Sequence, residues 1–302
     1  MRHFARLVLC LTLSGPFPLF SQTVVVPATQ STLSRHYEPG ERLVYRMHGI
    51  NEGHSSTRRY DALATGLVIK DASGNFIEQF HWSDVHSNGE TFTLSPESQQ
   101  LQQTVSLDPG HRLAMPSLTT VQPALIGPIA DLLTFYADVQ LAMRQKGLIH
   151  VGDHVFVKRS IPNSWAYGTR VLLGQDVIDF DITLQSVDEA THTAMLIVRH
   201  VPPAELQLKL PAAWMLKPVG STPNNWVQVE KTEEGKYIAG IGHETFEADI
   251  KISLPSGRIL STTMDNPVDV LERTCDDADL ATCGEPSSYR IRRQISLDAQ
   301  PN

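Results

Sequence analysis

Stretches in which apolar and polar residues alternate dominate the chain, and this period of two predicts strands of an antiparallel sheet. Turn sequences separate the stretches, and the Asn88-Gly89 pair is typical of a hairpin turn with positive φ at both residues. Tight turns between long strands predict a wide meander. The predicted strands are Arg58–Lys70, Asn75–His86, Val177–Val187, Thr191–His200, Lys236–Leu254, Arg258–Glu272 and Ser288–Leu297.

One segment, Pro128–Lys146, has helical spacing instead. Its proline suits the first turn of a helix, and Gly147 follows the end. The apolar positions are Ile129, Leu132, Leu133, Tyr136, Val139 and Met143. The polar stripe is narrow, chiefly Asp131, Thr134 and Asp138, so protein must nearly surround the helix. We therefore predict an α+β, mainly β fold, in which a curved antiparallel sheet like a half-barrel wraps one long helix.

The segment GERLVYRMHGINEG, Gly40–Gly53, resembles the opening strand of uncharacterised periplasmic proteins with a LolA/LolB-type half-barrel. The order of the predicted elements is similar as well. The resemblance implies a strongly curved antiparallel sheet with helices in its hollow. The best-known members of that family carry lipoproteins or other apolar cargo, which implies such a role here. The resemblance carries over no residue-level motif for cargo.

The first 22 residues are typical of a secretory signal peptide, with Arg2 and Arg6 before a short apolar run. That run is too short to span a bilayer. A flexible linker is expected over residues 23–36 and a single β-rich domain over residues 37–302. Since no second hydrophobic segment was found in the sequence, we expect a periplasmic or secreted protein without an integral membrane segment after cleavage.

Charge and cysteine usage narrow the choice of partners and compartment. The formal net charge is −8, which argues against nucleic acid or anionic lipid headgroups as partners, because both require a basic surface. Cys10 falls in the leader. Cys275 and Cys283 form an even pair around a short loop, which predicts a structural disulfide in an oxidising compartment.

Three aspartates, Asp176, Asp179 and Asp181, stand close together in DVIDFDITL. Asp179 and Asp181 share one face of the predicted strand, about 6.8 Å apart at Cα from the strand rise. A carboxylate pair at that spacing suits glycoside hydrolysis or calcium binding. The simpler interpretation, which we favour, is the solvated face of a half-buried strand.

Arg293 lies on the apolar face of its strand, between Ile291 and Ile295. A buried arginine needs a partner, because an isolated buried charge is very costly. A structural ion pair, or a side chain reaching past the strand edge, is the favoured interpretation. The alternative is an anion anchor at the mouth of a cavity.

Aromatic residues mark the other candidate ligand contacts. Trp214 and Trp226 lie in an irregular proline-bounded segment, and Trp165 lies in NSWAYG. Tryptophans in such a segment either form the rim of a binding site or pack over the end of the sheet. The scattered histidines contain no HExxH motif, and no nucleophile or nucleotide-binding motif is present, so neither catalytic residue, metal nor cofactor is predicted.

Three functions are compatible with this chain. The first is an exported binding protein that holds an apolar or amphipathic ligand, such as a lipid, in the hollow of the sheet through Trp165, Trp214, Trp226 and Arg293. This hypothesis requires a cavity beside the helix. The second is a hydrolase of envelope material that uses Asp179, Asp181 or a histidine as acid and base. The third is a structural or interaction module that pairs through exposed sheet edges.

Overall fold

The computed structural model describes residues 33–118, 121–159, 163–164, 170–203, 208 and 210–301. Its helices are α1 (Pro96–Gln100), α2 (Pro123–Met143) and a 3-10 helix at Ala213–Leu216. The strands are β1 (Arg42–Glu52), β2 (Thr57–Lys70), β3 (Phe76–Ser87), β4 (Glu90–Thr91), β5 (Gln103–Val105), β6 (His154–Val157), β7 (Asn163–Ser164), β8 (Val171–Asp176), β9 (Asp179–Asp188), β10 (Thr193–Val201), β11 (Trp226–Lys231), β12 (Tyr237–Glu244), β13 (Phe246–Ser253), β14 (Ile259–Cys275) and β15 (Ser287–Ala299).

These strands form one open, curved antiparallel sheet. Its main path runs β4-β3-β2-β1-β15-β14-β12-β11-β8-β7, and β13, β10, β9 and β6 branch from β14. The turn between β3 and β4 has positive φ at both Asn88 and Gly89, as the sequence predicts. The α+β, mainly β architecture with one long helix is confirmed.

Helix α2 lies against the concave face of the sheet and supplies the centre of the core. It begins five residues before the predicted start, because Pro123 and not Pro128 occupies the first turn. Pro128 is buried inside the helix, where its missing N–H leaves one turn without a backbone hydrogen bond. The helix ends at Met143, three residues before the predicted end. Phe135, which the predicted apolar set omits, is fully buried.

By length and composition alone, α2 is apolar enough to cross a membrane, with a mean hydropathy of 1.2. A helix in the core of a protein can be equally apolar, and 56% of the most apolar stretch of α2 is buried within the protein. The polar stripe is buried as well, since Asp131 and Asp138 are 1% and 2% exposed. Both carboxylates therefore need partners on the sheet.

The predicted strand Lys236–Leu254 is in fact two strands that are interrupted at Thr245. Both strands pair with β14. Strand β12 pairs with the C-terminal part of β14, and β13 pairs with its N-terminal part. Strand β10, which pairs with β13, ends at Val201, and β11, which pairs with β12, begins at Trp226. The sheet therefore has a gap between the end of β10 and the start of β11.

Asn225, which is fully buried, spans this gap. Its side chain accepts a hydrogen bond from the Glu244 N–H at 2.7 Å and donates to the Glu244 carbonyl at 3.1 Å. Its own carbonyl accepts from the Val177 N–H at 2.8 Å. These bonds satisfy backbone N–H and carbonyl groups that have no partner in the sheet, because the ladder is interrupted here.

The gap divides the concave face into two halves. In the closed half, which contains β1, β2, β3 and β13, α2 packs against the sheet. The open half consists of β8, β11, β12 and the adjoining ends of β14 and β15. Its concave side carries a small apolar cluster of Trp226, Val268 and Val270, with Tyr289 and Ile291 beside it.

Residues 33–36, which the sequence assigns to the linker, pack onto the sheet. Leu33 is buried, and the side chain of Arg35 is 1% exposed. The guanidinium binds Glu41 at 2.6 Å and Glu78 at 3.0 Å, and Glu78 also accepts from the Tyr136 hydroxyl of α2. The predicted signal peptide and the rest of the linker lie outside the described residues.

The predicted disulfide between Cys275 and Cys283 is confirmed. It closes an acidic loop between β14 and β15. Within that loop, Asp277 accepts hydrogen bonds from the N–H groups of Ala281 and Thr282. The bond therefore secures the end of the open half.

Candidate ligand-binding cleft

A cleft of about 550 Å³ lies between the flank of α2 and the open half of the sheet, beside the gap. Its volume falls in the range of small-molecule sites. Apolar side chains in its wall include Leu133, Phe180, Trp226, Phe246, Val268 and Ile291. Polar side chains in its wall include Asp138, Asp176, His200, Glu244, Asn266 and Arg293.

Trp226 forms part of the floor because its neighbours on β12 are glycines. A Cβ atom added at Gly240 would lie 3.3 Å from the indole, and one at Gly242 would lie 3.1 Å from it. The missing side chains let the indole lie flat across the adjacent strand. One face of the ring covers the glycines, and Trp226 borders the cleft while being only 8% exposed.

His200 and Asp138 form a pair between the sheet and the helix. The imidazole Nε2 lies 3.1 Å and 3.3 Å from the two Asp138 oxygens. The ring stacks on Phe246 with a centroid distance of 3.7 Å and meets the edge of Phe180 at 4.6 Å. The three rings are cross-strand neighbours on β9, β10 and β13, which sets their contact.

Arg293 and Asp131 form a second pair, where α2 passes over β15. Asp131 accepts from the Arg293 guanidinium and, at 2.7 Å, from the Tyr60 hydroxyl. Burial raises the pKa of Asp131, while the guanidinium and the hydroxyl oppose that rise. The Arg293 side chain remains 38% exposed, toward the cleft and toward a neighbouring cleft that Arg58 and Tyr60 line.

Glu244 and Asp176 approach the cleft from strands on either side of β11. The amide Nδ2 of Asn266 donates to Glu244 Oε1 at 2.8 Å. Burial, and then the negative charge of Asp176, raise the pKa of Glu244 to about 7. A carboxyl with that pKa exchanges protons near neutral pH, as a general acid must.

The predicted contact residues have three different positions. Trp226 and Arg293 line the cleft. Trp214 lies away from it, on the other side of the open half, where its indole N–H donates to the Leu280 carbonyl at 3.3 Å and its ring meets Arg273. Trp165 lies outside the described residues. The cleft thus brings two of the four predicted residues together.

The solvated face predicted for Asp179 is wrong, because this residue is 4% exposed. The backbone N–H of Arg159 donates to its carboxylate at 2.8 Å. Asp181 is half-buried, and His154 lies 3.7 Å from it. The alternation itself is confirmed, because Phe180 faces the cleft and Asp179 does not. Neither aspartate lines the cleft, so these two residues proposed for hydrolysis lie outside it.

Sequence reasoning did not select Glu244, Asp176 or His200 for the cleft, although a signal exists for two of them. Glu244 continues the apolar row of Phe246, Ala248 and Ile250, and His200 continues that of Leu196 and Val198. This is the anomaly that singled out Arg293. Asp176 carries no such signal, because it ends its strand at the gap. Within the described residues, no group of three or more histidine, cysteine or acidic side chains is arranged to hold a metal ion.

The segment with the family resemblance, Gly40–Gly53, contains β1, which lies in the closed half of the sheet. Its residues take no part in the cleft wall. The resemblance therefore concerns the scaffold and not the candidate site. No family model, curated protein or solved structure matches this chain.

Proposed function

We propose that this protein, once exported, binds a small amphipathic ligand in the cleft beside α2. The observation that carries the proposal is the cleft itself, an open concave volume of about 550 Å³ with aromatic walls and a partly exposed arginine. Concave sites that combine apolar walls with a few convergent polar groups are typical of ligand binding. Of the apolar or amphipathic ligands that the sequence predicts, we favour an amphipathic one, because ionisable groups surround the floor.

The apolar part of the ligand would lie on Trp226, Val268 and Ile291. These side chains form a cluster that α2 does not cover. Removing an apolar ligand surface from water contributes about 25 cal/mol per Å². This surface therefore contributes to ligand affinity without selecting for one ligand shape.

The polar part of the ligand would meet Arg293. A guanidinium has five N–H donors in a planar fork, and Asp131 accepts a hydrogen bond from Nη2. The exposed part of the side chain can bind a carboxylate or another anionic head in addition. Asp131 holds the arginine in position while the anion binds.

The first test is native mass spectrometry of the mature protein purified from the periplasm, followed by extraction of any bound molecule. We expect a co-purifying amphipathic species. Titration with a fatty acid and a lysophospholipid, followed by tryptophan fluorescence, provides a second readout. A clean apo mass together with no saturable binding of either probe would overturn the proposal.

A cleft-filling variant locates the binding site. Ala137 is exposed on α2 and lines the cleft, so Ala137→Trp should block it without disturbing the core. We expect at least a tenfold loss of probe affinity. Val151→Trp, at an exposed position that does not line the cleft, is the matched control and should bind normally. Equal affinity of both variants would place binding elsewhere.

A further inference from the structure

Two carboxylates reach the same cleft from opposite sides of one strand. Asp176 ends β8 and Glu244 ends β12, and both of these strands pair with β11. Asp176 lies opposite Trp226, and Glu244 lies two residues beyond Gly242, the other partner of Trp226. The two backbones are therefore roughly 12 Å apart, from about 9.6 Å across two strand spacings and about 6.8 Å along the strand. Since both carboxylates line the cleft, a bound molecule can lie between them.

The backbone and the carboxyl of Glu244 are both held in place. Asn225 binds its N–H and its carbonyl, and Asn266, which is 4% exposed, donates to the carboxyl. The titratable and charged groups that face Glu244 are Asp176, His200 and Arg293. Glu244 is thus positioned, and it keeps its proton near neutral pH because it is buried beside another acid.

We propose that the cleft hydrolyses a glycosidic bond, with Glu244 as general acid and Asp176 as general base. Asp176 takes a proton from a water molecule, whose oxygen forms a bond to the anomeric carbon. The bond from that carbon to the leaving oxygen breaks, and Glu244 donates its proton to that oxygen. Water is the co-reactant, and proton exchange with solvent restores both groups. Two carboxyl groups on either side of the scissile bond are what this chemistry requires.

Trp226 favours a glycoside as the substrate class. A pyranose ring has one face of C–H groups, which packs on the face of an indole, while its hydroxyls need polar partners at the edges. Trp226 lies opposite Asp176 on β8 and opposite Gly242, two residues before Glu244, on β12, and Gln228 and Asn266 supply amide groups beside it. The substrate is then a glycoside with an apolar aglycone, an inference that rests on the proposed amphipathic ligand.

The experiment measures binding and turnover separately on a panel of 4-nitrophenyl glycosides. Calorimetry first identifies the glycosides that bind and that Ala137→Trp excludes. We expect wild type to hydrolyse at least one of them, with a rate that falls above about pH 7 as Glu244 ionises. Glu244→Gln and Asp176→Asn should each reduce kcat by about 10²- to 10⁴-fold and leave the dissociation constant within about threefold.

Glu247→Gln, at an exposed position on β13 that does not line the cleft, is the matched control and should retain full turnover. Binding without hydrolysis by wild type would overturn the catalytic inference and leave the binding proposal standing. Hydrolysis that Glu244→Gln retains would overturn the assigned role. If no glycoside binds while an amphiphile does, the substrate class is wrong. If neither binds, the proposed function fails as well.

Discussion

The apolar side chains on the concave face are covered in different ways in the closed and open halves. In the closed half, α2 supplies Phe135, Leu132 and Ile129, which are fully buried against the sheet. In the open half, Trp226 lies over two glycines, and no helix in the described part of the chain packs above it. The first arrangement leaves a packed core, and the second leaves a cleft.

Two glutamates show the chemical difference between the closed and open halves. Glu78 in the closed half is 1% exposed, and Arg35 and Tyr136 bind it from two elements. Glu244 borders the cleft, with Asn266 as its partner and Asp176 as a nearby like charge. Burial raises the pKa of both groups. A raised pKa therefore indicates a candidate site only where the group also faces a cleft.

Removing Arg35 tests whether the closed half depends on its buried ions. We expect Arg35→Ala to lower the free energy of unfolding by about 3–5 kcal/mol, because Glu78 and Glu41 lose their cation. Urea denaturation at pH 7 measures the change. Adding Glu78→Gln should restore part of the loss. A change below about 1 kcal/mol would mean that the network behaves like a surface ion pair.

The pH dependence of stability tests the open half. The pKa of Glu244 is about 7 in the folded protein and about 4.3 in an unfolded chain. Its stabilising contribution is therefore complete below about pH 4.3 and is lost as the pH rises through 7. Glu244→Gln should be more stable than wild type at pH 8, by up to roughly 4 kcal/mol.

Urea denaturation between pH 5 and 8 follows that difference, with Glu247→Gln as the control at an exposed glutamate. Two parallel stability profiles for wild type and Glu244→Gln would contradict the assignment.

The disulfide stabilises the end of the open half. Replacing Cys275 and Cys283 by serine should lower the free energy of unfolding by roughly 2–3 kcal/mol, as expected for a loop with a sequence separation of 8. Thermal denaturation with and without reductant compares the two proteins. The reductant should lower the melting temperature of wild type alone. A lower melting temperature of the serine variant in reductant would show that the effect does not come from the disulfide.

The smallest effect is expected on the convex face, at Arg292. It makes a two-point ion pair with Asp265, at 2.7 Å and 3.0 Å, between exposed side chains. Arg292→Ala should change the free energy of unfolding by about 0–1 kcal/mol. Ligand affinity should stay unchanged, whereas Arg293→Ala should weaken it. Equal losses from the two neighbouring arginines would remove the distinction between the faces.

Much of the scaffold could be predicted because strands and helices are local patterns. The seven alternating stretches correspond to strands, with boundaries that differ by a few residues. The break at Thr245 was missed, although the apolar positions change phase there, from Ala239 and Ile241 to Phe246, Ala248 and Ile250. The start of α2 was missed because either proline, Pro123 or Pro128, suits a first turn.

The cleft was predictable only in part. Arg293 stands out in the sequence because a charge interrupts an apolar row, and its pairing with Asp131 follows that expectation. Glu244 and His200 interrupt rows in the same way. No local pattern brings these residues together, since Asp131 and Arg293 are 162 positions apart.

The sequence by itself determined the strands, the buried helix and the disulfide, because each depends on periodicity or on two nearby residues. Tertiary structure alone decided which end of the concave face α2 covers. It therefore also decided which polar groups became buried partners and which border a cleft. The reason is physical: periodicity specifies the face on which a side chain lies, whereas the pKa and the accessibility of that side chain depend on the element packed above it.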